Sequence, residues 1–422
     1  MSSNNDSLFT RRNLLALGGA GIAASLVGPA LLSPRSAEAA DKKPAKVTSC
    51  VVLWMQGGPS HIDTFDPKKK SGGPAKDMAT RAGGVRISEH LPQVADEMDK
   101  IALVRGMSSK EGNHQRAQEL GHTGHPPNPT VRSPSIGAWV VRERGPSELE
   151  IPSFISLGGP SHGGGFFGNA FDPFIVQRPG EMPDNMAPAR RVSTDRASSR
   201  RAVLAKLDER FGARTGDPQV KARRDLYARA EKMMRASATS AFDLSGEPKA
   251  VVDAYGDSDF GRGCLVARRL VEQRVPFVEV SLDGWDTHED NFERTGNLMA
   301  SLDPAMASLI RDLEERSLLD STLIVWMGDF GRTPRINGRE GRDHYPAAYS
   351  VALAGGGVRG GTVFGSTDEE GATVVDGPTS VPDLIATIGW RLGVDPGIIA
   401  WTPQGRPFNS SAEGTVRKDW FG

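Results

Sequence analysis

The side chains able to do chemistry in this chain are histidines and carboxylates gathered in a few short segments, each placed just after an apolar run. His61-Ile62-Asp63-Thr64-Phe65-Asp66 follows the first run. Asn113-His114-Gln115-Arg116 and His122-Thr123-Gly124-His125 follow the second. Further on come Asp283-Gly284-Trp285-Asp286-Thr287-His288, then Gly328-Asp329-Phe330-Gly331-Arg332 and Gly341-Arg342-Asp343-His344. Imidazole nitrogen and carboxylate oxygen are the ligand types of Zn²⁺, Fe and Mn²⁺, and loops from separate strands can converge on one ion. A single Asp after a strand ordinarily caps a helix or a turn. The signal lies in all of these segments arising together at strand ends. Of the eight histidines, all but His90 are expected at or near loop positions.

The elements that must position these groups are short and alternate in type. Residues 48–55, 101–104, 154–157, 275–282, 322–327 and 349–353 are apolar runs that end in Gly, Asp or Ser and read as buried strands. Between them, 135–144, 195–211, 220–238, 262–273, 292–319 and 381–392 carry helical patterns. Strands alternating with helices predict an α/β fold, a three-layer α/β/α sandwich with a mostly parallel central sheet. Ligands then belong at the carboxyl ends of the strands. The charge-rich segment 190–248 has no strand-like run and is expected to be a helical insertion. The pentapeptide Gly-Gly-Pro-Ser-His occurs twice, at 57–61 and 158–162, each time after a strand.

With 422 residues, 38% hydrophobic and 24% charged, the chain is long enough for a substantial core, and disordered or collagen-like architectures are excluded. A formal net charge of -1 gives no sign of a nucleic-acid or anionic-membrane partner, so any electrostatic selectivity must be local. Two cysteines, Cys50 and Cys264, build neither a disulfide framework nor a zinc cluster. At the N-terminus, Arg11-Arg12, a Gly/Ala-rich run over 16–32 and Ala37-Glu38-Ala39 have the layout of a twin-arginine export signal with a cleavage site. The expectation is therefore a leader over 1–39 that is handed to the twin-arginine translocase. A domain over 40–422 would then work in the periplasm or otherwise outside the cytoplasm, with no stable membrane span after cleavage.

GGPSHIDTFDPK, the Asn113-His114-Gln115-Arg116-Ala117 and Thr123-Gly124-His125-Pro126-Pro127 stretches, Gly284-Trp285-Asp286-Thr287-His288, GDFGRTP and GRDHYP, in this order, resemble the DUF1501 family of exported proteins. That family resembles in turn the alkaline phosphatase and sulfatase superfamily. The resemblance implies an alkaline phosphatase-like sandwich with a metal site at the strand ends, used on phosphate or sulfate esters. It implies that Asp286 and His288 hold one metal, that Asp329 holds a second, that His344 is the later single histidine ligand, and that Asp63 with His61 supplies the first-strand ligand. The ion would be Zn, Ca, Mg or Mn. Two departures stand out: Phe330 takes the place of an expected imidazole, and residues 112–114 occupy the expected nucleophile position.

Three readings follow from these residues, the third being a phosphoryl transferase or mutase. The first is a metal-dependent hydrolase of phosphate or sulfate esters, small or polysaccharide, with activated water or an unassigned nucleophile. His114 would then donate a proton, and Arg116, Arg332 and Arg342 would pair with the anionic ester, unless these arginines are structural ion pairs. The second is a non-catalytic module of the same fold that recognises an anionic polysaccharide or a protein partner. Trp285, beside Asp286, would either stack on a sugar or belong to the core.

Overall fold

Every side chain of strand β1 (Ser49–Met55) is buried, and its alternation explains why the run is apolar throughout. Val51, Leu53 and Met55 enter one hydrophobic core, while Cys50, Val52 and Trp54 enter another on the opposite face of the sheet. The computed structural model describes residues 47–74, 76–145, 149–184, 186, 192–216, 218–234 and 236–422. The leader expected over 1–39 lies outside the described residues, as do 190, 191, 217 and 235 of the helical segment. No helix among the described residues is long and apolar enough to cross a membrane.

The central sheet also contains β2 (Ile101–Ser108), β3 (Phe154–Leu157), β4 (Phe174–Val176), β5 (Phe277–Leu282), β6 (Thr322–Gly328), β7 (Tyr349–Gly355), β8 (Val363–Phe364) and β9 (Thr379–Ser380). Their order is β8-β2-β7-β6-β1-β5-β3-β4, with β9 also paired to β2. All pairings are parallel except those of β7, which runs antiparallel to both β2 and β6. The six apolar runs are therefore all strands of one sheet, mostly parallel, with a single reversed member.

Helices cover both faces. α1 (His114–Thr123), α2 (Ile136–Arg144) and α7 (Val381–Arg391) pack on the Trp54 face. On the other face lie α5 (Asp259–Glu272) and α6 (Asn291–Glu315), whose Cys264, Leu265, Met299 and Leu302 are buried with Leu53. The architecture is a three-layer α/β/α sandwich. Within 192–248 the structure has α3 (Thr194–Thr215), α4 (Pro218–Met234) and a 3₁₀ turn (Ser237–Phe242), with no central-sheet strand among the described residues.

Strands β4, β8 and β9, each of two or three residues, add to the six expected runs, and one expected loop is helical. Residues 114–123, expected as loop, form α1. The Asn113 side chain accepts from the Arg116 amide at 3.3 Å to start the helix, and Gly124 at φ 68° ends it. Only Ala117, Leu120, Gly121 and Thr123 of its ten residues are buried, too few for apolar periodicity to announce a helix.

Candidate metal centre

The loops that leave β1, β5 and β6 meet at the carboxyl end of the sheet, joined by the start of α1 and the Asp343-His344 segment. Gly57, just past β1, lies at φ +108°, and a Cβ there would stand 2.5 Å from the Asp286 amide nitrogen, so only glycine admits this approach. Its N–H donates to Asp329 Oδ2 at 3.3 Å, and its carbonyl accepts from Arg332. Gly331-Arg332 and His344-Tyr345 pair as a two-stranded ribbon that carries His344 back over the site.

At the centre stands Asp286. Its Oδ1 lies 3.3 Å from His114 Nε2, 3.2 Å from His288 Nε2 and 3.3 Å from His344 Nε2. The other nitrogen of each ring is held. His114 Nδ1 donates to Asp329 Oδ2 at 2.6 Å, His288 Nδ1 to Asp343 Oδ1 at 2.8 Å, and His344 Nδ1 to the Gly112 carbonyl at 2.8 Å. Carboxylate and carbonyl oxygens only accept, so each Nδ1 carries the hydrogen, and a ring in the Nδ1–H tautomer turns its Nε2 lone pair inward. The Nε2 atoms of His288 and His344 are only 2.9 Å apart. His114 Nε2 is buried with no hydrogen-bond partner.

Three lone pairs and a carboxylate oxygen facing one another repel unless a cation lies among them. Backing of imidazoles by carboxylate or carbonyl is the arrangement by which proteins orient metal-bound histidines. The ligand atoms of His114, Asp286 and His344 lie within 4.8 Å of one another. The residues present thus fit one ion.

Charge is tuned around this point. Burial works against the ionised form of Asp286, but the hydrogen bond and charge of Arg332 hold its carboxyl down at about 2. The hydrogen bonds from His288 and Asn337 lower Asp343. The hydrogen bond to Asp329 raises His114, and burial lowers His344. Asp286 is 47% exposed and its three histidines 25–33%, so the centre opens to solvent.

Of the residues expected to bind metal, the structure brings together Asp286, His288 and His344. Asp329 joins them through His114, and its Oδ1 is buried without a hydrogen-bond partner. His61 and Asp63 are directed elsewhere, contrary to expectation. Asp63 is the counter-ion of buried Arg342, at 2.8 and 3.3 Å, and also accepts from Ser60 at 2.5 Å and Asn291 at 2.9 Å. The ring of His61 is buried, with Nε2 at 2.8 Å from the Gly371 carbonyl, and burial lowers its pKa.

The expected catalytic set is reordered as well. His114 stands among the inward-facing nitrogens. Arg332 is fully buried, donates to Asp286 at 2.6 Å and to the Gly58 and Arg342 carbonyls at 3.0 and 3.1 Å, and therefore holds Asp286 in place. Arg116 makes a two-pronged pair with Glu111, both contacts at 2.7 Å. Trp285 is fully buried and belongs to the core. Sequence reasoning passed over two features. Asp343, though part of a singled-out segment, and the Gly112 carbonyl were given no role, because they only orient other side chains. Glu279, inside the apolar run 275–282, is buried at 3.1 Å from His122 Nε2 and accepts from Ser161 Oγ at 2.9 Å.

A mostly parallel α/β/α sandwich with a His/Asp cluster at its strand ends is the class that fold and site define. The chain belongs to the DUF1501 family, described as "Protein of unknown function (DUF1501)", whose model matches residues 47–421. No curated protein matches it by sequence. Among solved structures it is similar to Ps i-CgsB in complex with k-i-k-neocarrahexaose, at 13% identity and TM-score 0.40 over 82% of this chain and 72% of that one. It is similar to the lipoteichoic acid synthase LtaP from Listeria monocytogenes, at 11% identity and TM-score 0.42 over 88% and 76%. The phosphonate monoester hydrolase of Agrobacterium radiobacter gives 11% identity and TM-score 0.41 over 88% and 77%. No residue role follows from likeness at this level.

Proposed function

We propose that this protein is an exported, metal-dependent hydrolase of phosphate or sulfate esters. The observation that carries the reading is the convergence of His114, His288 and His344 Nε2 on Asp286 Oδ1, each within 3.3 Å, with every Nδ1 held from behind. These four side chains would hold one divalent ion. Three imidazoles and a carboxylate suit Zn²⁺ or Mn²⁺ better than Mg²⁺ or Ca²⁺, which prefer oxygen ligands. Bound there, such an ion supplies Lewis acidity toward an ester oxygen and acidifies water.

The protein's own groups do the rest. Arg332 keeps Asp286 ionised and fixed. Asp329, Asp343 and the Gly112 carbonyl fix the ring orientations, so that little reorganisation is needed when an anion arrives. The first turn of α1 begins at His114, so its free amide groups and positive dipole end lie beside the centre and favour an anionic substrate. Because Arg116, Arg332 and Arg342 are all paired within the protein, substrate charge would be met by the ion and this helix end. The 1–39 segment would deliver the folded chain across the inner membrane, and 190–248 would be an insertion on the sandwich.

The test is metal content and turnover read together. Wild type purified with Zn²⁺ or Mn²⁺ should carry about one ion per chain and hydrolyse an aryl phosphate or aryl sulfate. Asp286→Ala and His344→Ala should lose both ion and activity, while Ser108→Ala and Ser109→Ala keep both. A metal-loaded wild type inert toward a broad ester panel would mark a metal-binding module that is not a hydrolase. Loss of activity in a serine variant with its ion retained would show a side-chain nucleophile instead.

A further inference from the structure

The net charge of -1 conceals a local imbalance. Helices α3 and α4 together hold eleven Lys and Arg against five Asp and Glu. The two helices pack on each other with two of these acidic groups engaged: Asp208 is buried against Arg223, and Glu231 pairs with Arg201 at 3.0 Å. What remains outward on α3 is different. Val203, Leu207 and Phe211 are 59%, 55% and 44% exposed, three of the few large apolar side chains the described surface leaves in water. At about 100° per residue they fall on one side of the helix. Arg196, Arg200, Arg210 and Arg214 fall within the same stripe, about 100° wide, and all four are exposed. The stripe contains no carboxylate, because Asp195, Asp208 and Glu209 point to other sides.

We propose that this face of α3 docks the protein on an anionic lipid surface. An apolar row flanked by arginines is what a helix lying in the plane of a membrane interface requires: the apolar side chains enter the acyl boundary and the guanidinium groups stay with the headgroups. A soluble polyanion would use the arginines and leave Val203, Leu207 and Phe211 in water. A second copy of the chain would bring two basic faces together, and like-charge juxtaposition opposes that contact. The centre and this face involve different residues, so docking and metal binding are separable.

The experiment is co-sedimentation of the full chain with vesicles. Vesicles of phosphatidylcholine mixed with phosphatidylglycerol should retain wild type, phosphatidylcholine alone should retain little, and added salt should release it. The double variants Leu207→Ser/Phe211→Ser and Arg200→Gln/Arg210→Gln should each partition roughly tenfold more weakly, with metal content unchanged. Circular dichroism of both variants should match wild type, which checks that the fold is kept. Equal retention on both vesicle types overturns the proposal. So does unchanged retention of either double variant, which would place membrane contact in another segment. Binding to dextran sulfate but not to vesicles would make the partner a soluble polyanion, and a dimer abolished by Phe211→Ser would make it a second copy; both outcomes overturn the lipid assignment.

Discussion

At the scale of single residues, carboxylates of the same type have opposite duties, and their partners decide which. Asp343 receives the Nδ1–H of His288 at 2.8 Å without lying among the inward-facing ligand atoms. Asp343→Asn should therefore weaken Zn²⁺ affinity by about 10- to 100-fold while the fold persists, as measured by competition with a chromophoric chelator. Asp63 instead neutralises Arg342, and both side chains are almost fully buried, at 4% and 0% exposure. Removing one partner of such a pair strands the other charge, so Asp63→Asn should cost about 3 kcal/mol or more in urea unfolding. Metal content of the folded fraction should stay at the wild-type level. If Asp63→Asn instead loses metal with stability intact, Asp63 is a ligand after all.

Elements impose constraints that no single side chain shows. The β1 exit passes so close to the β5 exit that Gly57→Ala adds both a positive-φ strain and a clash with the Asp286 amide. The variant should lose at least about 2 kcal/mol of stability and should also bind metal more weakly, because Asp286 is carried by the displaced backbone. Behind the centre, α1 is tied to β5 by the buried His122–Glu279 pair. Burial opposes the charged form of His122, but Glu279 outweighs it and raises the ring's pKa. Neighbouring His162 is pushed the other way, from 6.5 to about 4, by burial and by the charge of His122. The unfolded chain then takes up a proton at position 162 near pH 6.5 that the native protein refuses until about 4, so stability falls as pH drops through that window. For this partly exposed ring the loss amounts to roughly 2 kcal/mol. His162→Gln should flatten the pH dependence of the urea midpoint between these limits. An unchanged slope would assign the acid sensitivity to another group.

For the whole molecule, the prediction concerns delivery. Arg11 and Arg12 lie outside the described residues, and in the export signal proposed for 1–39 the pair would be the part that the receptor reads. Replacing both by Lys should hold the precursor in the cytoplasm, as cell fractionation would show; processed protein persisting in the periplasmic fraction would refute the assignment. A route for folded proteins suits a centre that is assembled from β1, α1, β5, β6 and the 341–345 segment, because these come together only once the sandwich is complete.

The sheet was legible because strands buried on both faces must be apolar at every position, which leaves runs such as 49–55 and 322–328 that few other structures explain. Asp286, His288 and His344 were legible as candidates, since residue types with metal-ligand chemistry at strand ends are conspicuous, and the fold brings them together. Three things required the tertiary structure. Helix α1 is short and polar, and it forms because its caps and the sheet beneath it supply what periodicity does not. Arg332 and Arg342 have the composition of anion-binding residues, yet burial commits both to Asp286 and Asp63. The split between His114, which faces Asp286, and His61, which is spent on the Gly371 carbonyl, depends on contacts more than 150 residues apart in sequence. Local sequence determines which groups can bind a metal. Which of them come together is decided by long-range packing: His61 Nδ1 is also buried without a partner, but it lies outside the cluster in which His114, Asp286 and His344 converge.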